Sequence, residues 1–363
     1  MTQPLAGLRV LDFTTLLPGP LATLMLAEAG AEVTKVERPG GDDMRGFPPF
    51  MDEQSIAFGL LNRGKTSLIL NLKSDEDRAK LEPLLEKADI LVEQFRPGVM
   101  ERLGLGYETV KARNPRLIYC SISGYGQAGP RAGEAGHDLN YIGQTGLLSL
   151  QDRLHEHPVV PPALIADIAG GSFPAVMNIL LALRQRDRTG EGCHLDIAMT
   201  DAMFTFAWHA LAYGAANGYH PGSGQTMLTG ASPRYQLYPT QDGRLVACAA
   251  IEDHFWKSFA AAIGLSEALS EDRRDPQKTK TEVARLIAGR TAAEWSPLLE
   301  QADCCATIVA TLEEALRDPH FLERGLLARK LAMGGRAIPA LPVPISAPFR
   351  DDPEQAKAAP PAV

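Results

Sequence analysis

His137 and Asp167 are the two side chains whose type and setting could do chemistry. His137 stands in the string Ala135-Gly136-His137-Asp138-Leu139-Asn140-Tyr141. Asp167 stands in Ala166-Asp167-Ile168-Ala169-Gly170-Gly171. Each lies beside residues that favour a turn or a helix start. An imidazole and a carboxylate can hold one substrate carbon between two bases. They can also act as a nucleophile and its helper. The same residue types cap helices with no chemistry at all. The residues alone leave these three readings open.

The elements that must position them follow from the pattern. Leu8 to Phe13 reads as a buried strand, Pro18-Gly19-Pro20 breaks it, and Leu21 to Ala29 is helical up to Gly30. Glu32 to Val36, Ser67 to Leu72, Asp89 to Phe95 and Leu117 to Ser123 read as further strands. Ser74 reads as an N-cap, with Asp75, Glu76 and Asp77 in the first turn, where the helix dipole favours acids. That helix carries Leu81, Leu84 and Leu85 on one face. Strands alternating with helices predict an α/β fold with a Rossmann-like parallel sheet.

Gly171 to Arg186 and Thr200 to Ala216 read as helices, and a Gly/Pro-rich linker follows from Gly218 to Gly230. A smaller α+β domain is expected next, with Arg244 to Ile251 as a strand and Glu252 to Ile263 as a helix. Capping boxes stand at Thr291/Glu294 and Thr311/Glu314. The division expected is a large domain over 1–215, linker and small domain over 216–310, and a return segment over 311–363 that packs on the large domain.

Composition narrows the function classes. Of 363 residues, 45% are hydrophobic and 22% charged, ordinary for a globular chain, and the net charge of −8 argues against general nucleic-acid binding. No run of eighteen apolar residues predicts a membrane span, and neither end reads as a secretory, peroxisomal or retention signal, so a cytoplasmic location is expected. Cys120, Cys193, Cys248, Cys304 and Cys305 are scattered and odd in number, which suits free, mostly buried thiols. His155-Glu156-His157 is the nearest approach to a metal motif and lacks further ligands, so no metal is expected.

The first strand-to-helix turn, Thr14 to Pro20, lacks G-x-G-x-x-G, and no P-loop lysine motif appears. That argues against NAD and ATP. Basic residues nevertheless stand at strand ends and loops: Arg38, Arg63, Lys65, Lys73, Arg96 and Arg102. Most are expected to be solvated surface. Arg38 and Arg96 each precede a proline directly after a strand, where ligands of open α/β sheets bind. A phosphate-bearing ligand other than a dinucleotide fits.

An ordered series of motifs adds to this reading. It runs through Leu8-Arg9-Val10, Pro18-Gly19-Pro20, Val36-Glu37-Arg38-Pro39, Asn62-Arg63-Gly64-Lys65, Leu70-Asn71-Leu72-Lys73 and Arg96-Pro97-Gly98-Val99. It continues through Arg116-Leu117-Ile118-Tyr119, Ser123 to Gln127, Ala135 to Tyr141, Asp167, Gly170 and Gly171. Weaker matches follow at Tyr235, Asp242 to Arg244 and Ala250 to Glu252. The series resembles the family III CoA-transferase superfamily, and within it the racemase branch acting on 2-methylacyl-CoA thioesters.

The resemblance implies that His137 and Asp167 exchange the proton beside a thioester carbonyl, one on each face of the enolate. Glu252 would approach the histidine from a partner subunit; its alternative is a plain helix N-terminal residue. Arg38, Leu70, Asn71, Leu72, Lys73, Gly136, Asp138, Leu139, Asn140 and Tyr141 would touch CoA, with Arg96 and Arg102 as further phosphate contacts. CoA is part of the substrate, so no separate cofactor is implied. The implied assembly is an interlocked homodimer, without nucleic acid or membrane. Gly170 and Gly171 would free backbone amides for the enolate oxygen.

The main rival is CoA transfer between carboxylic acids, with Asp167 as nucleophile; a non-catalytic acyl-CoA binder is the third reading. His137 discriminates the first two. The segment Gly41 to Leu60, with Phe47-Pro48-Pro49-Phe50, reads as an extra loop that could reshape access to the site.

Overall fold

The computed structural model describes residues 3–152, 156–351 and 355–361. Six strands form one sheet: β1 Arg9–Phe13, β2 Glu32–Glu37, β3 Thr66–Ile69, β4 Ile90–Glu93, β5 Ile118–Ser123 and β6 His194–Ala198. Every neighbouring pair is parallel, in the order β3-β2-β1-β4-β5-β6. The α/β expectation therefore holds. All but β6 were legible as strands. β6 carries His194 and Asp196 among its five residues, so its apolar signal is thin.

Helices cover the sheet because its strands are apolar on both faces. Ile90, Leu91 and Val92 are fully buried, as central parallel strands must be. On one face, Leu11, Phe13, Val36, Leu91 and Tyr119 pack with Leu81 and Leu85 of the helix Asp75–Leu85. On the other lie α1 Pro18–Glu28 and a long helix ending at Thr189. α1 carries Pro at its start, where the missing N–H has no intrahelical acceptor to lose. The prolines expected to break the chain after β1 thus open the helix instead. α2 Ile56–Asn62 packs beside α1, with Leu61 against Leu21, Leu24 and Met25.

Two basic residues expected on solvated loops are buried, and ion pairing is the reason. Arg63 binds Glu28 at 3.0 Å and donates to the carbonyls of Leu60 and Leu341. Lys65 reaches Asp12, Asn62, Thr23 and the Pro20 carbonyl, all within 3.0 Å. The Gly41 to Leu60 segment is an ordered turn, a hairpin Phe50–Met51/Gln54–Ser55 and the start of α2. Arg45 fixes it by a forked contact to Glu37 and by lying over the Phe58 ring. Phe47 and Phe50 stay exposed.

Contacts divide the chain into two units: 1–145 with 161–205 and 319–363, and 146–160 with 206–318. The second holds an antiparallel sheet of β7 Tyr235–Pro239, β8 Leu245–Ala249 and β9 Ala306–Ile308. Its core joins Val246 and Cys248 to Trp256, Phe259, Val283, Ile287, Trp295 and Leu299 from three helices. Both expected capping boxes form, at Thr291 and Thr311. Glu252 is the exposed N-cap residue of the helix Asp253–Ile263. Arg234 grips both of its neighbours, the Ile251 carbonyl at 3.0 Å and the Asp253 carboxylate at 2.6 Å, while its fork holds buried Asp272.

The helix beginning at Ala166 runs to Thr189, 24 residues, and is long and apolar enough to span a bilayer by composition. It begins beside Asp167, ends with Arg184, Arg186, Asp187 and Arg188, and packs one flank on β5 and β6. Among the described residues no cluster of three His, Cys, Asp or Glu side chains could hold a metal; His155 lies outside them. All five cysteines are free, with Cys120, Cys248 and Cys304 buried.

Candidate active site

Strand order reverses between β1 and β4, so the loops leaving their C-terminal ends diverge and open a crevice. A cavity of about 500 Å³ lies there. Its walls come from Thr15 and Leu16 after β1, Gln94 to Pro97 after β4, Ser123 and Gly124 of the β5 end, and Met199 after β6. His137 and Asp167 both line it, together with Gly136, Asn140, Tyr141 and Arg96. A larger cavity, about 1100 Å³, lies in the second unit beside Tyr235, Gln236 and Lys280. Among the described residues that line it there is no imidazole, whereas the smaller cavity holds both an imidazole and a carboxylate.

Local structure explains how His137 is presented. It is the N-cap residue of the helix Asp138–Gln144, which we call α3, and its backbone N–H donates to the Asn140 side chain at 3.0 Å. The Tyr141 hydroxyl donates to the Gly136 carbonyl at 2.5 Å, closing the turn just ahead of the imidazole. A Cβ on Gly136 would stand 2.6 Å from the Tyr141 ring, so only glycine fits there. The His137 ring itself is exposed to the cavity and to solvent.

Asp167 sits in a π-helical turn, Ala166–Ser172, that continues into α4 Phe173–Thr189. Such wide turns concentrate at functional sites. The Asp167 backbone N–H donates to the Asp138 carboxylate at 2.9 Å, which ties the π-turn to α3. Burial pushes the Asp167 carboxyl up to about 6; the Asp138 charge adds to the rise and His137 opposes it. Burial also raises the Tyr141 phenol, with the Asp167 charge contributing, to about 12.

Gly170 and Gly171 have a different job from the one expected. A Cβ on Gly170 would meet the Met199 carbonyl at 2.4 Å, and one on Gly171 would meet Met199 and Pro18 at 3.1 Å. They let the π-turn approach its neighbours closely, so their backbone is packed and not open to a ligand.

The remaining named residues are scattered around the same strand ends. Arg38 follows β2, is largely exposed and pairs with Asp43. Leu70 is buried in the core, while Asn71, Leu72 and Lys73 form the turn after β3. Arg102 is exposed at the end of a short helix after the β4 loop. Asp138 is buried and Leu139 exposed. Of these, only Arg96, Gly136, Asn140 and Tyr141 line the cavity with the His and Asp. Glu252 belongs to the other unit.

Residues missed by sequence reading also shape the cavity. Gln94 accepts the Gly19 N–H at 2.9 Å and so bridges the two diverging loops. Glu93, buried beneath them, accepts the Phe95 N–H at 2.8 Å, and burial pushes its carboxyl up to about 7. Their signal was a polar pair closing an otherwise apolar strand.

The raised Asp167 carboxyl has a stability consequence. Its folded pKa lies above the unfolded one, so stability is lost as pH rises from the ordinary carboxylate value of 3.8 to about 6, the cost being complete above that and absent below 3.8. Asp167→Asn is therefore expected to stabilise the fold at pH 7.5 by about 1–2 kcal/mol, allowing for partial solvent access, and by nothing near pH 3.5. Urea unfolding at the two pH values measures this; equal differences at both would contradict it.

Comparisons with known proteins give the family. The chain is 37% identical over 327 residues to the alpha-methylacyl-CoA racemase of Homo sapiens, covering 88% of this chain and 81% of that one. It is 35% identical over 371 residues to the acetyl-CoA:oxalate CoA-transferase of Acetobacter aceti, covering 98% and 92%. A solved CAIB/BAIF family protein from Brucella suis superposes with a TM-score of 0.83 at 29% identity, covering 98% and 96%. The model of CoA-transferase family III matches residues 5–363, and the chain belongs to that family.

Proposed function

We propose that the chain is an acyl-CoA racemase that moves the α-proton of a 2-methylacyl-CoA thioester from one face to the other. The observation that carries this reading is that His137 and a carboxyl raised to about 6 share one cavity. One group can take the α-proton from one face while the other returns a proton to the opposite face.

In one direction neutral His137 takes the α-proton and the C–H electron pair moves onto the thioester oxygen. Protonated Asp167 then returns a proton to the opposite face as the carbonyl re-forms. From the other enantiomer the roles exchange: Asp167 is the base and the imidazolium the acid. Arg38, Lys73, Arg96 and Arg102 are assigned to the phosphates of CoA, arginine through its fork. Glu252 is assigned to orienting His137 from a partner subunit.

CoA transfer is the second reading, favoured by the transferase among the relatives. The test is deuterium uptake. A 2-methylacyl-CoA incubated in D₂O without acceptor acid should gain α-deuterium. No uptake, with acceptor-dependent transfer instead, would reverse the assignment.

Direction-specific pH profiles follow. The enantiomer that needs Asp167 as base should slow as pH falls below about 6, since the carboxylate is then protonated. The enantiomer that needs Asp167 as acid should slow as pH rises through the same value. Initial rates from each enantiomer over pH 5–8 decide it; superimposable profiles would count against the pair.

The homodimer is part of the same proposal. Phe173, Met177, Leu180 and Leu181 leave an exposed apolar stripe on α4, suited to a second copy. Sedimentation velocity reads the mass.

A further inference from the structure

Beneath the β1 loop lies a set of buried charges that the proposed chemistry does not use. Asp12 of β1 stands beside Lys35 of β2 in register, and Lys65 and Asp42 complete the set. All four side chains in the two ion pairs are fully buried. Burial would push the Asp12 carboxyl up, yet Lys65 and Lys35 hold it well below the usual carboxylate range; burial brings Lys65 down to about 8. Two aspartates and two lysines balance in charge, which is the condition for keeping them out of water.

The set is aimed at one stretch of backbone. Asp12 accepts the Thr14 N–H at 2.9 Å and its hydroxyl at 2.5 Å. Lys35 donates to the Thr14 carbonyl at 2.6 Å and pairs with Asp42 at 2.9 Å. Asp42 in turn accepts the Leu16 N–H at 3.3 Å. Leu16 has φ +61°, a left-handed conformation that leucine rarely adopts. Strain of that kind persists only where surroundings over-determine it, and it clusters at functional sites. Leu16 lines the cavity with His137 and Asp167. Two residues on, the Pro18 carbonyl accepts the Ser172 hydroxyl at 2.7 Å, so the same loop is tied to the π-turn that carries Asp167.

We propose that Lys35 and Asp42 are positioning residues: they hold Leu16 in its left-handed conformation, and so fix the apolar wall that Leu16 gives the acid–base cavity. The inference rests on the reading of that cavity as the site of acyl-CoA chemistry. Neither charge touches substrate; both act through Leu16.

The test uses the full chain with Leu16→Gly, Asp42→Asn and the double variant. Each is assayed for kcat and KM in whichever reaction the wild type performs, proton exchange or CoA transfer, with thermal unfolding alongside. Glycine adopts φ +61° freely, so Leu16→Gly should keep its melting temperature while losing the wall. Each single change should lower kcat about 10-fold, a loss of the size expected when positioning is loosened, with KM within about twofold. The double variant should be no slower than the slower single, because both act through one side chain.

Unchanged kcat in Leu16→Gly, or multiplied losses in the double variant, would overturn the proposal. If Asp42→Asn fails to fold, the Leu16→Gly result decides alone. Should the wild type perform neither reaction, the functional reading fails separately. The positioning claim then stands or falls on a crystal structure of Asp42→Asn: Leu16 leaving positive φ supports it, and Leu16 unmoved refutes it.

Discussion

Asp167→Asn is expected to lower turnover by about 10³-fold, the middle of the range for a positioned acid–base group. The amide is nearly isosteric and can still fill the space in the π-turn, and the backbone N–H that binds Asp138 is retained. What it loses is the proton. Racemisation from either enantiomer needs that carboxyl, as base one way and as acid the other. CoA transfer needs it as nucleophile. The loss should therefore appear in both assays, with substrate affinity little changed, because the change removes a group needed in the transition state and not uniform binding. Stopped assays of exchange and transfer, with isothermal titration of acyl-CoA, measure it. A variant within tenfold of wild type in either assay would remove Asp167 from the mechanism.

His137→Gln is expected to have an equally large but selective effect. Proton exchange should fall by about 10³-fold in D₂O, because one face of the enolate loses its base. Any CoA-transfer activity should survive, since nucleophilic attack by Asp167 does not require the imidazole to carry a proton. The result divides the two readings more sharply than the Asp167 change does. Loss of both activities together would mean that His137 serves binding or the fold. Circular dichroism and the melting temperature separate the latter, and His137 is an exposed N-cap residue whose side chain supports little of the core.

How much of this was legible depends on what each residue's signal is made of. The parallel sheet was readable because β1, β4 and β5 are mostly apolar runs bounded by turn residues. β6 was hidden because its histidine and aspartate break the pattern. His137 and Asp167 were readable as a pair from type and setting. The Asp138 contact to Asp167 was not, because it depends on how two segments meet in space.

Arg63 and Lys65 were misread for the same reason. Their partners, Glu28 and Asp12, lie far off along the chain, so the sequence offers charge without company. Gly170 and Gly171 were read as free backbone when they are close-packed, since a glycine looks the same in either role. Leu16 could not be found at all: nothing in its neighbours announces a left-handed leucine.

The π-turn over Ala166–Ser172 carries a consequence for how such a chain can change through time. A π-turn is an α-helix with one residue too many in a single turn. Losing one residue after Asp167 would let ordinary helical periodicity return and swing the carboxylate about 100° relative to α4, since an α-helix turns 3.6 residues per revolution. The core of α4 would keep its register while the reactive group faced elsewhere. A single-codon deletion is thus a route to a silent descendant that spares the core of α4, and a single-codon insertion is the reverse route.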